Sequence, residues 1–191
     1  EVFLYFQVCF QLLRRLLQSL HPSCICSCIH LQLWHFSIPE DVTVIGIENM
    51  ENFRLIRQQR SFFETYLKTR RLPTKVLFVS RYPQSVDLRK WLMSIPNHYL
   101  HFGDFDLAGI KIFLSEFQEF IGSDRSSYLI PDDIEYRLNS GSRKRYDEQF
   151  HHFNEVKSNN SELQRLIDLI HNERKAYDQE GYICNSIFLN R

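Results

Sequence analysis

The sequence carries no excess of charge: Lys plus Arg number 23 and Asp plus Glu number 23, for a formal net charge of zero. A global basic field that would draw polyanions to the surface is therefore excluded, and any nucleic-acid site has to be local. No apolar run reaches the length of a bilayer crossing, because Arg14 and Arg15 interrupt the most apolar stretch well short of that thickness. A secretory signal puts positive charge before its apolar run, and here the order is reversed. No membrane association and a cytoplasmic location are expected. Repeats and low-complexity segments are also missing. An initiator methionine is absent, since the chain opens on Glu1, so a fragment or processed form is expected. Zinc spacing is missing too. Cys24, Cys26 and Cys28 alternate beside His21 and His30, whereas paired thiolates on one tetrahedral ion usually stand two or more residues apart. Reduced thiols on a buried or edge strand are the simpler reading, in keeping with Cys9 and Cys184 standing alone.

What is present suits one domain with a sizeable core: 191 residues, 43% hydrophobic and 14% aromatic. Residues 1 to 36 form an apolar N-terminal segment set apart from the domain expected over 37 to 191. In it Phe6, Phe10, Leu13, Leu17 and Leu20 fit one helical stripe, read as a docking helix. Beyond the Ser37–Asp41 turn, Val42–Ile47 reads as a buried strand, and Phe53 to Leu67 as helix until Pro73. Lys75–Ser80 is a second strand and Val86–Ile95 its returning helix. Tyr99, Leu100 and Phe102 make a third strand, after which Ile110, Phe113, Leu114 and Phe117 share a helix face. This alternation predicts an α/β fold with a mainly parallel sheet flanked by helices. Later come a short strand at Ser127–Ile130, a brief helix over Asp132–Leu138, polar helices over 139 to 160, and a helix with the stripe Leu163, Leu166, Ile167, Ile170. These are read as a helical C-terminal extension packed on the sheet edge, not as a second domain.

Acids close two of the strands. Glu48 ends the first, and Asp104 and Asp106 end the third, in Gly103-Asp-Phe-Asp-Leu-Ala-Gly109. Carboxyl ends of parallel strands line the crevice where ligands bind, and residues i and i+2 of an extended segment point the same way. Two like charges side by side call for a cation, and a hard divalent ion such as Mg²⁺ suits a few carboxylates plus water and phosphate oxygens. The plainer alternative is that Asp106 only N-caps the next helix and Asp104 is a loop acid.

These segments resemble the Toprim domain, the metal-binding fold shared by topoisomerases, bacterial primases and OLD-family nucleases. The nearest resemblance is to the C-terminal Toprim region of the JetD nuclease subunits of Wadjet anti-plasmid systems, which are similar to the A subunit of topoisomerase VI. It rests on Glu48-Asn-Met-Glu-Asn-Phe53, on Gly103–Gly109, and on the pair Gln179-Glu180, and covers about residues 40 to 185. The winged-helix and arm regions of full-length relatives are missing, and none of the nine tyrosines has the setting of the topoisomerase nucleophile.

The resemblance implies DNA hydrolysis with water as nucleophile, assisted by Mg²⁺ or Mn²⁺ on Glu48, Asp104 and Asp106. It also implies DNA and subunits of an SMC-like complex as partners, and a homodimer. Glu51 is a candidate auxiliary acid or a solvated helix-start acid, and Glu180 an extra ligand or a capping-region acid. His101 is a core imidazole or a catalytic one. Arg81, Arg54, Arg57, Arg143, Lys144 and Arg145 are candidate DNA-backbone contacts, each open to the alternative of a solvated surface. Two other functions compete. One is a catalytically inactive Toprim fragment serving as an assembly module, favoured by the missing DNA-binding domain. The other is a haloacid-dehalogenase-like phosphatase, a family that places its Asp-x-Asp on the first strand, whereas here Glu48 comes first.

Overall fold

A computed structural model describes residues 6–8, 38–81 and 86–183. Five parallel strands form one sheet in the order β1-β3-β2-β4-β5: β1 is Phe6–Val8, β2 Val42–Ile47, β3 Lys75–Ser80, β4 Tyr99–Phe102 and β5 Ser126–Tyr128. Every residue of β2 and β4 is buried, as expected of parallel strands covered on both faces.

Between β2 and β3 run α1 (Met50–Arg54), a 3₁₀ turn (Ile56–Gln59) and α2 (Arg60–Thr69). Helix α3 (Val86–Ser94) leads into β4. From β4 to β5 the chain passes through α4 (Leu107–Ile112), a π-helical stretch (Phe113–Gln118) and α5 (Glu119–Ile121). Strand β4 shows the two covered faces through its period of two. Phe102 meets Phe62 and Phe63 of α2, with ring centroids at 5.7 and 5.5 Å. Tyr99 and His101 turn the other way, onto Phe117 and Phe113 of the π stretch. The chain thus leaves β2 toward β3 on one side and leaves β4 toward β5 on the other. Their carboxyl ends flank the topological switch point of the sheet, where open α/β sheets bind ligands.

The C-terminal extension comprises α6 (Ile134–Leu138), α7 (Arg143–Phe153) and α8 (Ser161–Glu173). The predicted stripe Leu163, Leu166, Ile167 and Ile170 is the buried face of α8, which starts where Asn160 accepts hydrogen bonds from the Glu162 and Leu163 N–H groups. Past α8 the chain returns to the sheet. Tyr177 and Phe105 exchange backbone hydrogen bonds of 3.1 and 2.9 Å, and Ser142 and Ala176 form a second antiparallel bridge.

The N-terminal stripe is corrected at its first residue. Phe6 belongs to a short strand along the outer edge of β3, not to a helix. A sheet edge offers a row of unpaired backbone groups, and three strand-compatible residues satisfy it as readily as they would begin a helix. The rest of that stripe, and all five cysteines, lie outside the described residues. Among the described residues no helix is long and apolar enough to cross a membrane.

Gly46 in the middle of β2 has a specific cause. A Cβ there would stand 2.1 Å from the Tyr99 hydroxyl oxygen, which crosses this spot to meet His101 Nδ1 at 2.9 Å. Gly46→Ala is therefore expected to cost about 2–3 kcal/mol through overpacking, read as a lowered denaturation midpoint at constant slope. Unchanged stability would mean that the Tyr99 ring lies elsewhere.

Candidate functional site

The strand registers place three residues in one row at the switch point. Ile47 pairs with Ser80 on one side and with Phe102 on the other, so Glu48, Arg81 and Gly103 come next on three adjacent strands. The ladder continues into this row, with the Glu48 N–H donating to Phe102 O (3.0 Å) and the Arg81 N–H to Ile47 O (2.9 Å).

Glu48 lies at the floor. Its Oε1 accepts from Arg81 Nη1 at 2.9 Å, and Arg81 Nη2 reaches both oxygens of Glu116, on the π stretch, at 3.2 Å. Glu48 Oε2 is buried without a formed hydrogen bond and faces His101 Nε2 at 3.5 Å. Gly103 makes this approach feasible, because a Cβ there would stand 2.7 Å from Glu48 Oε2 and 2.9 Å from His101 Nε2. Burial pushes the Glu48 carboxyl up, but the contact with His101 and the charge of Arg81 outweigh it and leave Glu48 below its ordinary value. His101 is fully buried and held below its own ordinary value, chiefly by desolvation, so the standing positive charge beside Glu48 is that of Arg81.

Asp104 and Asp106 follow on the β4–α4 turn. Asp106 is extended and N-caps α4, its Oδ1 accepting from the Gly109 N–H at 2.7 Å. The plainer sequence alternative thus describes its local role. Its Oδ2 accepts from Gln149 Nε2 at 2.7 Å and lies 3.8 Å from Arg145 Nη1. Asp104 Oδ1 accepts from the Gln179 N–H at 2.9 Å, Tyr128 donates to its backbone carbonyl at 2.6 Å, and Oδ2 is 3.7 Å from Arg145 Nη1. Burial raises both carboxyls. For Asp104 the neighbouring charges of Asp106 and Glu48 add to it, against the Gln179 hydrogen bond and Arg145, and the value reaches about 6 from an ordinary 3.8. The charge of Glu48, from the end of β2, thus bears on both aspartates beyond β4.

The remaining sequence candidates divide. The C-terminal return brings Gln179-Glu180 to this crevice, where Glu180 Oε1 accepts from Asn49 Nδ2 at 2.5 Å while Asn49 Oδ1 caps α1 through the Glu51 and Asn52 N–H groups. Gln179 is fully buried, and its carbonyl accepts from Asn52 Nδ2 at 3.0 Å. Glu51 faces solvent beside Arg54 at 3.7 Å, and Arg57 is exposed on the next turn. Arg143 and Lys144 pair along α7 with Asp147 (3.3 Å) and Glu148 (3.8 Å). Exposed pairs of this kind hold their charges weakly. Arg81, expected at the DNA backbone, is instead 7% exposed and taken up by Glu48 and Glu116.

Sequence reading missed three residues: Glu116, the second partner of Arg81, together with Asp178 and Gln149. Asp178 ion-pairs with Arg145, and Gln149 holds both Asp106 Oδ2 and, through Oε1, the Ala108 N–H at 3.2 Å. One faint signal was available, since Gln149 lies four residues after Arg145 and so on the same face of a helix.

Whether the residues suit a divalent ion can be tested on this geometry. Among the described residues, no group of three His, Cys, Asp or Glu side chains is gathered so that it could hold a metal ion as it stands. Each acid has turned to a protein cation or donor, Glu48 to Arg81 and the Asp pair to Arg145. The donor chemistry nevertheless fits. All are hard carboxylate oxygens, Glu48 Oε2 is buried and unsatisfied, and Asp104 is destabilised as an anion, a cost that added positive charge relieves.

No curated protein and no solved structure matches the chain. A family model described as Domain of unknown function (DUF7281) matches residues 29–191. The chain belongs to the DUF7281 family.

Proposed function

We propose that this chain is a Toprim-type, metal-dependent nuclease that hydrolyses DNA phosphodiester bonds, in the manner of the catalytic region of a JetD-like anti-plasmid protein. The observation that carries this reading is that Glu48, directly after β2, and Asp104 and Asp106, just past β4, stand at the carboxyl ends of adjacent parallel strands at the switch point, near enough that the charge of Glu48 bears on both aspartates. Among the described residues, acids outnumber bases in this crevice: Glu48, Glu116, Asp104, Asp106, Asp178 and Glu180 stand against Arg81 and Arg145. A phosphodiester is repelled by such a site unless a cation enters, so the reading requires Mg²⁺ or Mn²⁺.

Glu48, Asp104 and Asp106 would hold the ion, which when bound supplies Lewis-acid polarisation of the phosphate and a more acidic water. The protein's own contribution is positional. His101 and Arg81 keep Glu48 ionised beside Gly103, while the Gly109 and Gln179 N–H groups fix one oxygen of each aspartate and Gln149 holds the second oxygen of Asp106. Arg54, Arg57, Arg143 and Lys144 are exposed on α1, the 3₁₀ turn and α7 and are proposed to contact the DNA backbone. Partnership with SMC-like subunits and a homodimer belong to the same proposal. The test is nicking of circular DNA in Mg²⁺ or Mn²⁺ against the same protein in chelator. Metal-dependent nicking supports the reading, and its absence with both ions counts against it.

One observation favours a second reading. Arg145 already places a positive charge over Asp104, Asp106 and Asp178. If that charge is permanent, the crevice is a structural ion network and the chain an inactive assembly module, which would fail the nicking test while folding normally.

A further inference from the structure

Arg145 lies in the first turn of α7, three residues after Ser142, the N-cap. The Ser142 N–H donates to Ala176 O at 2.7 Å and the Ala176 N–H to Ser142 O at 3.1 Å, which fixes this turn against the segment bearing Asp178. The guanidinium has two anchorages. On one side are Asp104 Oδ2 and Asp106 Oδ2, at 3.7 and 3.8 Å. On the other is Asp178, its nearest partner.

Asp104 Oδ2 is the oxygen that the Gln179 N–H does not take, and Asp106 Oδ2 is held by Gln149 Nε2 at 2.7 Å; a divalent ion on the pair would need these same two oxygens. A guanidinium and a dication cannot both sit against them, because each repels the other. Arg145 is 38% exposed and Asp178 41%, so the side chain has room to leave the pair without losing its second anchor.

We infer that Arg145 is a two-position residue. In one position it is the cation of the aspartate pair. In the other, with a divalent ion on the pair, it is held by Asp178 and turned to the substrate phosphate. This rests on the metal-dependent reading above and gives it a regulatory property. Arg145 weakens metal binding when no DNA is present, and DNA, by drawing the guanidinium away, strengthens it. By linkage the metal strengthens DNA binding to the same extent.

The experiment is an Mn²⁺ titration of the full chain followed by electron paramagnetic resonance, with and without a duplex oligonucleotide. It uses the wild type, Arg145→Gln, Arg145→Lys, Asp178→Asn and Asp104→Ala, each checked by its melting temperature. Without DNA, Arg145→Gln is expected to bind Mn²⁺ about twofold to fivefold more tightly than wild type, the worth of one partly exposed ion pair. Arg145→Lys keeps the charge and should stay near wild type. Asp178→Asn removes the second anchor and should bind more weakly, which keeps the proposal open to test if Arg145→Gln fails to fold. DNA should tighten Mn²⁺ binding in the wild type and lose that effect in Arg145→Gln. The Arg145 proposal is overturned if Arg145→Gln binds no more tightly while Asp104→Ala loses binding, a result that leaves the metal reading intact. Failure of every protein, wild type included, to bind millimolar Mn²⁺ overturns both.

Discussion

Asp104→Ala is expected to lower metal-dependent nicking of circular DNA by about a hundredfold or more, since activation by a bound ion supplies several kcal/mol of transition-state stabilisation. Asp104 is the better of the two β4 acids for this test. Both Asp106 oxygens hold the α4 cap or Gln149, so replacing Asp106 would disturb a helix start as well as the charge. Among the described residues, the Asp104 side chain gives up one hydrogen bond, from the Gln179 N–H, and its 3.7 Å pairing with Arg145. Comparison of purified wild type and variant at equal folded concentration checks the prediction. Equal cleavage by both would place the activity in a contaminant or at another site.

Asp104→Asn should separate activity from stability, with opposite signs. The Asp104 carboxyl is raised to about 6 from 3.8, so the folded chain holds this proton more tightly than the unfolded one. The stabilisation from the neutral carboxyl is fully present below about pH 4 and is lost as pH rises through about 6, because the unfolded state ionises first. Above that point the charged form costs on the order of 2–3 kcal/mol. Asparagine keeps the acceptor for the Gln179 N–H and carries no charge. In chelator at pH 7.5 the variant is expected to melt several degrees above wild type, at roughly 2–4 °C per kcal/mol for a domain of this size. Near pH 4 the two should coincide. Adding Mg²⁺ at neutral pH should then raise the wild type and leave the variant unchanged, since a ligand stabilises only the state that binds it. A variant that melts below wild type at pH 7.5 in chelator would show that Arg145 and the backbone already compensate the Asp104 charge.

Much of this site was legible in the sequence because its acids are placed by local pattern. Val42–Ile47 is apolar but for Thr43, and Lys75–Ser80 encloses the apolar run Val76 to Val79; the strands have those bounds. Gly103-Asp-Phe-Asp follows directly from a buried strand, so its location at a carboxyl end needed no tertiary knowledge. What was illegible depends on contacts between distant parts of the chain. Arg81 reads as a free cation after a strand, and only the registers of β2 with β3 and β4 reveal that it stands beside Glu48. Arg145 reads as one of three adjacent basic residues. Its attachment to Asp104 and Asp178 depends on the Ser142–Ala176 and Phe105–Tyr177 bridges, between segments more than thirty residues apart that carry no strand signal of their own. Phe6 fits a helical stripe by spacing, yet three residues are too few for periodicity to decide against an open sheet edge.

The central claim is that carboxylates from β2 and β4 take hold of one divalent ion. Crystals of the wild type grown with Mn²⁺, with the ion located by its anomalous scattering, test this most directly. The expected result is an ion within coordination distance of Glu48 and Asp104 oxygens, with the Arg145 guanidinium withdrawn toward Asp178. An ion bound elsewhere, or Arg145 still seated on Asp104 and Asp106 at saturating Mn²⁺, would contradict it.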